Sequence, residues 1–220
     1  MNNENWQEWF EAAWREREES IYGSLFGELG PGIYPLDFEM FSSIFNCTEV
    51  DPRWLHIGVF ESPPNDSRSN WLYVSSGLSN AWEADHPDPH SWSGLGAELL
   101  MQCTVQSPWA LSLVRKLAAY QLLLSIGKFG GKTLDYWDRI RQGSAINGAT
   151  SNLDAVFFAP SSGFPSAQQL LSGKFEFLQV IGVTSAELDF GQTNGYETLY
   201  EKLIAAGVVP IIDVERASLI

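Results

Sequence analysis

The sequence predicts an α+β domain: a mixed, largely antiparallel sheet packed with helices. Three observations predict it. Short runs rich in β-branched and aromatic residues, W-L-Y-V-S-S (71–76), L-D-A-V-F-F (153–158) and F-E-F-L-Q-V-I-G-V (175–183), have the composition and length of strands. Two stretches, at 4–19 and after Ser107, repeat apolar residues at helical spacing. Strands and long helices do not alternate one for one, as a parallel α/β sheet would require. The chain has 220 residues, 45% of them hydrophobic. That is enough for one core, since a chain of this size buries roughly 70% of its unfolded surface. Residues 1–220 are therefore read as a single domain, with residues 1–24 forming an N-terminal amphipathic helix.

In chain order, Trp6, Trp9, Phe10, Ala13 and Trp14 make one apolar stripe on the first helix, and acids and arginines fill its other face. The stripe is expected to face the core. G-P-G at 30–32 forces a turn. Residues 36–46 suit a short helix or a strand. W-L-H-I-G-V-F (54–60) alternates as a strand does, with His56 inside it, and P-P-N-D-S-R-S-N (63–70) is a loop. Residues 71–76 form the next, antiparallel strand. Pro87 and Pro89 keep 82–92 irregular. A further strand covers 95–105. Ser107-Pro108 opens a nearly all-apolar helix that runs to about 126 and stops at Gly127, Gly130 and Gly131. Beyond the strand at 153–158, a loop at 160–166 and the strand at 175–183, T-S-A-E (184–187) is a capping box for a helix over 185–190. Asn194 is expected to cap a second helix to Ala206, and V-V-P-I-I-D-V (208–214) to close the chain as a strand.

Composition narrows the function. The net charge of −14 disfavours nucleic acid, because phosphate neutralisation supplies most of such affinity. It favours a basic protein partner. Residues 1–50 carry ten acids and two bases, and residues 115–141 carry six bases and two acids, so the charge is bipolar. Two cysteines, Cys47 and Cys103, make no disulfide framework. The acidic opening M-N-N-E-N-W is no secretory leader, and no apolar run is long enough to span a bilayer. A cytoplasmic protein without membrane contact is expected.

The motifs that would carry chemistry are weak. G-K-F-G-G-K-T (127–133) has lysines and glycines, but the phosphate-loop spacing needs Gly at the position of Ile126, and a helix rather than a strand precedes it. A helix stop is the better reading. In E-A-D-H-P-D-P-H (83–90), Asp85, His86, Asp88 and His90 are weak candidate metal ligands; no metal or other cofactor is expected. No G-x-S-x-G elbow is present. Cys103 lies in an apolar strand and reads as a buried thiol. Glu98 interrupts L-G-A-E-L-L, so it is either on a wet face or paired. A hydrolase or metal-dependent enzyme is thus the weakest of the functional readings.

Three blocks then fall in order: W71-L-Y-V-S-S-G-L-S, S93-G-L-G-A-E-L and F175-E-F-L-Q-V-I-G-V-T-S-A-E-L. Together with the helix around R115-K-L-A-A-Y and a last strand reaching Asp213 before Arg216, they resemble the Suppressor of fused domain family over roughly residues 25–216. The resemblance implies a single Suppressor-of-fused-like domain. The animal member is a cytoplasmic adaptor that sequesters Gli-type transcription factors, gripping an extended peptide between this domain and a second one. Only the first domain is matched by these 220 residues. They look more like the single-domain bacterial members, proposed as immunity proteins that neutralise a toxin. In the family the Tyr of the W-x-Y strand lies near the peptide, which makes Tyr73 a candidate contact. Asn80 stands where the family has an acid after G-L-S. The sequence is therefore read as a non-enzymatic protein-binding domain. Its partner is a toxin domain or, alternatively, a linear peptide, met by Tyr73, Asn80, Trp82 and Trp92. No motif fixes an oligomeric state.

Overall fold

The computed structural model describes residues 3–220. The first helix, α1 (Asn3–Arg15), runs through a wide π-type stretch, Glu16–Tyr22, into α2 (Gly23–Phe26). Residues 38–45 are helical. Among the described residues nine strands form one sheet: β1 (Tyr34–Pro35), β2 (Gly58–Ser62), β3 (Trp71–Ser76), β4 (Trp92–Cys103), β5 (Arg139–Arg141), β6 (Ala155–Pro160), β7 (Ala167–Leu170), β8 (Gly173–Val183) and β9 (Ile211–Ile212). Their order is β1-β2-β3-β4-β8-β6-β5, with β7 on β8 and β9 on β4. The β4–β8 and β4–β9 pairs are parallel and the others antiparallel, so the sheet is mixed and largely antiparallel. Helices α3 (Pro108–Ser125), α4 (Ser185–Asn194) and α5 (Tyr196–Ala205) complete the domain.

Both faces of the sheet are buried, and the two-residue period of a strand sorts the side chains. Leu99, Met101 and Cys103 of β4 with Val156 and Phe158 of β6 pack under α3. On the other face, Leu100, Phe175 and Phe177 meet Tyr22 and Phe26 from the N-terminal helical segment. Phe157, Ile181 and Val183 meet Leu188, Leu199 and Leu203 from α4 and α5. This double burial explains why the central strands are near-continuous apolar runs. It also explains why α3, which contributes ten buried residues, is apolar nearly all round.

Several local expectations need correction. The run 54–60 is not one strand. The Asp51 side chain accepts the Arg53 N–H at 2.9 Å and Pro52 fixes the first position, so residues Pro52–His56 form a 3-10 turn and the strand starts at Gly58. His56 is consequently an exposed residue outside the sheet. Ser107 does not cap α3 with its side chain: its hydroxyl donates to the Val105 carbonyl and its N–H donates to the Tyr73 hydroxyl at 2.7 Å. Asn194 does not cap α5 either. Gly195 takes that position, and the Asn194 amide turns back to the Phe190 carbonyl. The last strand shrinks to Ile211–Ile212. The T-S-A-E box is present with both reciprocal bonds. The glycine-lysine run is a turn after α3, where Lys128 reaches the Asn46 carbonyl and Lys132 pairs with Asp135. The aromatic stripe of α1 splits. Trp9 and Ala13 are buried, Trp6 and Phe10 are half-buried, and Trp14 is 45% exposed.

Candidate functional site

The segment Ser75–Trp82 leaves β3 and is fastened from two sides. From below comes Glu98, fully buried on β4. Its Oε1 accepts the N–H groups of Gly77 and Ser79, both at 2.9 Å, and the Ser79 hydroxyl at 2.7 Å. Its Oε2 accepts the Ser75 hydroxyl at 2.5 Å. From the side comes Arg17 of the N-terminal helical segment, also buried. It donates to the hydroxyls of Ser76 (3.0 Å) and Ser79 (3.1 Å) and to Oδ1 of Asn80 (2.7 Å), with its Nε 4.0 Å from Glu98. A buried charge is tolerable only when paired and hydrogen-bonded, and these small polar residues supply the bonds. The question left by the sequence over Glu98 is thus answered: it is the paired case. Arg17 was not foreseen. The signal available was a run of small polar residues, S-S-G-L-S, beside a lone acid in an apolar strand.

Gly94 brings the start of β4 up against this segment. Its φ is +56°, and a Cβ there would lie 2.5 Å from the Asn80 carbonyl oxygen and 2.7 Å from that of Leu78. Only glycine permits so close a backbone approach in that conformation. The Leu95 N–H then donates to the Leu78 carbonyl at 2.9 Å.

On this base Asn80 and Trp82 form a wall between two clefts. The first, about 550 Å³, lies between α1, the start of β1 at 33–35 and the 3-10 turn at 55–56. The second, about 580 Å³, lies between Trp82, Trp92, Leu95 and the end of α3 at Leu122 and Ile126. Aromatic packing holds the wall to α1: Phe10 lies 4.3 Å from Trp82 and 4.7 Å from Trp6, centre to centre. The Trp6 indole N–H donates to the Ala84 carbonyl at 2.9 Å. Arg53, paired with Asp51 and Glu83, sits 5.9 Å from the Trp82 ring.

The site residues expected from the sequence divide three to one. Asn80, Trp82 and Trp92 come together around the second cleft, with Trp92 58% exposed at its rim. Tyr73 does not join them. Its ring is fully buried under α3, its hydroxyl accepts the Ser107 N–H, and burial pushes its phenol well above the ordinary range. The resemblance that singled it out located a core residue. In the loop 83–90, Asp88 accepts the His90 backbone N–H at 2.9 Å, while Asp85, His86 and His90 point to solvent. Among the described residues no three His, Cys, Asp or Glu side chains converge on a point that a metal would occupy. Burial pushes the Cys103 thiol up to about 12, which leaves it protonated and unreactive at neutral pH. Of the α1 aromatic residues that the sequence assigns to the core, Trp9 is buried, whereas Trp6, Phe10 and Trp14 supply a wall of the first cleft.

The family model for the Suppressor of fused protein (SUFU) matches residues 53–217. No curated protein sequence matches. Solved structures do. A Suppressor of fused homolog from Neisseria gonorrhoeae FA 1090 superposes with a TM-score of 0.65 at 16% identity, over 97% of this chain and 98% of that one. The Sufu-Fu complex contains a chain with a TM-score of 0.55 at 19% identity, over 84% of this chain and 93% of that one. Drosophila Suppressor of Fused gives 0.55 at 19% identity, over 74% of this chain but only 42% of its own length, so the present chain spans less than half of that protein.

Proposed function

The chain belongs to the Suppressor of fused family, and from that membership we propose that it is a non-enzymatic protein-binding domain that sequesters or neutralises a partner protein. The observation that carries this reading is the pair of aromatic-lined clefts flanking Trp82 on a base fixed by Glu98 and Arg17. Rigid aromatic anchors in a polar surround are the usual hot spots of protein interfaces. Among the described residues, no serine lining either cleft is hydrogen-bonded to a histidine or carboxylate side chain. One similar structure was solved as the Sufu-Fu complex, which supports protein binding for this chain.

The finer reading is an immunity protein against a toxin. The charge of −14 suits a basic effector such as a nuclease, whose own substrate-attracting surface an acidic cover would occupy. The second reading, an intracellular adaptor for a linear peptide, draws on the same clefts. Co-expression with the product of a toxin gene adjacent to its own separates the two. An immunity protein protects the cells and co-purifies with that product. Trp82→Ala in a still-folded protein weakens the complex by roughly 30-fold, equivalent to about 2 kcal/mol. Absence of both protection and complex overturns the immunity reading and leaves the adaptor.

A further inference from the structure

We infer that the first cleft, between α1, the start of β1 and the 55–56 turn, receives an arginine-bearing apolar segment of the partner protein, with the guanidinium over Trp14 and against Glu11. The inference rests on the protein-binding reading and specifies the chemistry of what is bound.

The cleft is an apolar trough with a single acid. Phe10, Trp14, Ile33 and Leu55 face it, and Glu11 is the only Asp or Glu in its lining, which includes no lysine or arginine. Trp14 is 45% exposed, Leu55 37% and Ile33 36%, so three large apolar side chains stand open to solvent around one trough. Glu11 has capacity to spare. Its Oε1 accepts from the Gln7 amide at 2.8 Å, and among the described residues no Lys, Arg or His pairs with its carboxylate.

Residues 1–50, which supply most of the lining, carry ten acids against two bases. One of those two bases, Arg17, is buried and spent on Ser76, Ser79 and Asn80. The arginines beside the cleft, Arg53 and Arg115, are already paired with Asp51 and Glu83 and with Asp37. Charge complementarity therefore selects a cationic occupant, and the exposed tryptophan selects the form of the cation. A guanidinium is planar, stacks on an indole face and pairs with a carboxylate at once, whereas an ammonium does these less well together. Apolar neighbours of that arginine would cover Ile33 and Leu55. Most of this lining belongs to residues 6–35, before the stretch that the family model matches.

The test is selection of peptides from a random display library on the whole chain, followed by titration of synthetic copies of the selected peptides. Glu11 and Trp14 lie on the surface, and the melting temperature checks that Glu11→Gln and Trp14→Ala still fold. The expected result is an enriched pattern with arginine between apolar residues. Its affinity should fall roughly tenfold with Trp14→Ala and roughly threefold to tenfold with Glu11→Gln. Replacing the peptide's arginine by lysine should weaken it less than replacement by glutamine. Selected peptides that need Trp14 but carry no cation and ignore Glu11→Gln overturn the inference while leaving protein binding intact. Binders indifferent to both variants place recognition elsewhere and overturn it too. Repeated selections with no binder count against the protein-binding reading itself.

Discussion

Glu98 decides the geometry of the site more than any aromatic residue in it. Four donors converge on its buried carboxylate, and Arg17 stands 4.0 Å away. Glu98→Gln keeps the shape but places an amide among those donors and leaves Arg17 with one nearby carboxylate, that of Glu18 at 3.7 Å, in place of two. Disrupting a buried ionic network of this kind costs about 3–5 kcal/mol. The urea midpoint should fall accordingly with the slope unchanged, and a loss under about 0.5 kcal/mol would contradict the role given to it. Glu187 is another fully buried acid. Burial alone would raise its carboxyl, but paired bonds from Arg216 (2.6 and 2.7 Å) and the N–H groups of Thr184 and Leu219 outweigh burial and hold it below the ordinary value. A carboxyl depressed by folding stabilises above its unfolded value of about 4.3, and that contribution is lost as pH falls through the lower folded value. Stability measured from pH 5 down to pH 2 should therefore drop, with a smaller drop in Arg216→Gln, which begins less stable. An equal acid slope in both proteins would contradict this. Neither network was legible beforehand beyond its outline: the sequence names the acids, but only the fold says which serines, arginines and amides surround them.

At the scale of elements, legibility followed the strength of the local signal. Strand β3 lies where the W-L-Y-V-S-S run predicts it, and the capping box opens α4 with both bonds in place, because each signal is local and sufficient. The failures have physical causes. Asp51-Pro52 turned an alternating run into a 3-10 turn, and Gly195 displaced Asn194 as the cap of α5. The two-residue strand β1 and the three-residue strand β5 are too short to carry a pattern. The α1 stripe has helical period, but period alone does not say what covers each ring; Trp14 faces open space, whereas Trp9 is buried. The element most sensitive to a single change is the junction of β4 with the 78–80 segment. Gly94→Ala adds a methyl where 2.5 Å is available and where φ is positive, so it should cost about 1–3 kcal/mol and shift Asn80 and Trp82. Chemical unfolding together with the near-ultraviolet dichroism of the tryptophans reads both effects. A neutral change in both would show the junction to be pliable.

The whole molecule couples a sheet buried on both faces to one aromatic surface that crosses from the N-terminal helix to the 77–95 segment. Three of the four residues nominated from the sequence belong to that surface, and Tyr73 does not, because a motif transmits position along a strand but not which face of the sheet is covered. The part of the surface built by Trp6, Phe10 and Trp14 of α1 has a helical period that reads as core in the sequence. The acidic charge and the aromatic clefts favour one account: a rigid domain that covers a partner protein through the Trp82 wall. Hydrogen exchange of the chain alone and in complex with the partner captured by co-expression tests this directly. Slower exchange should be confined to residues 6–14, 33–35, 51–57, 77–84, 91–95 and 122–126 and to Ser172, the stretches that line the two clefts. Protection centred instead on α4 and α5 or on the β5 edge, with the cleft segments unchanged, would contradict it.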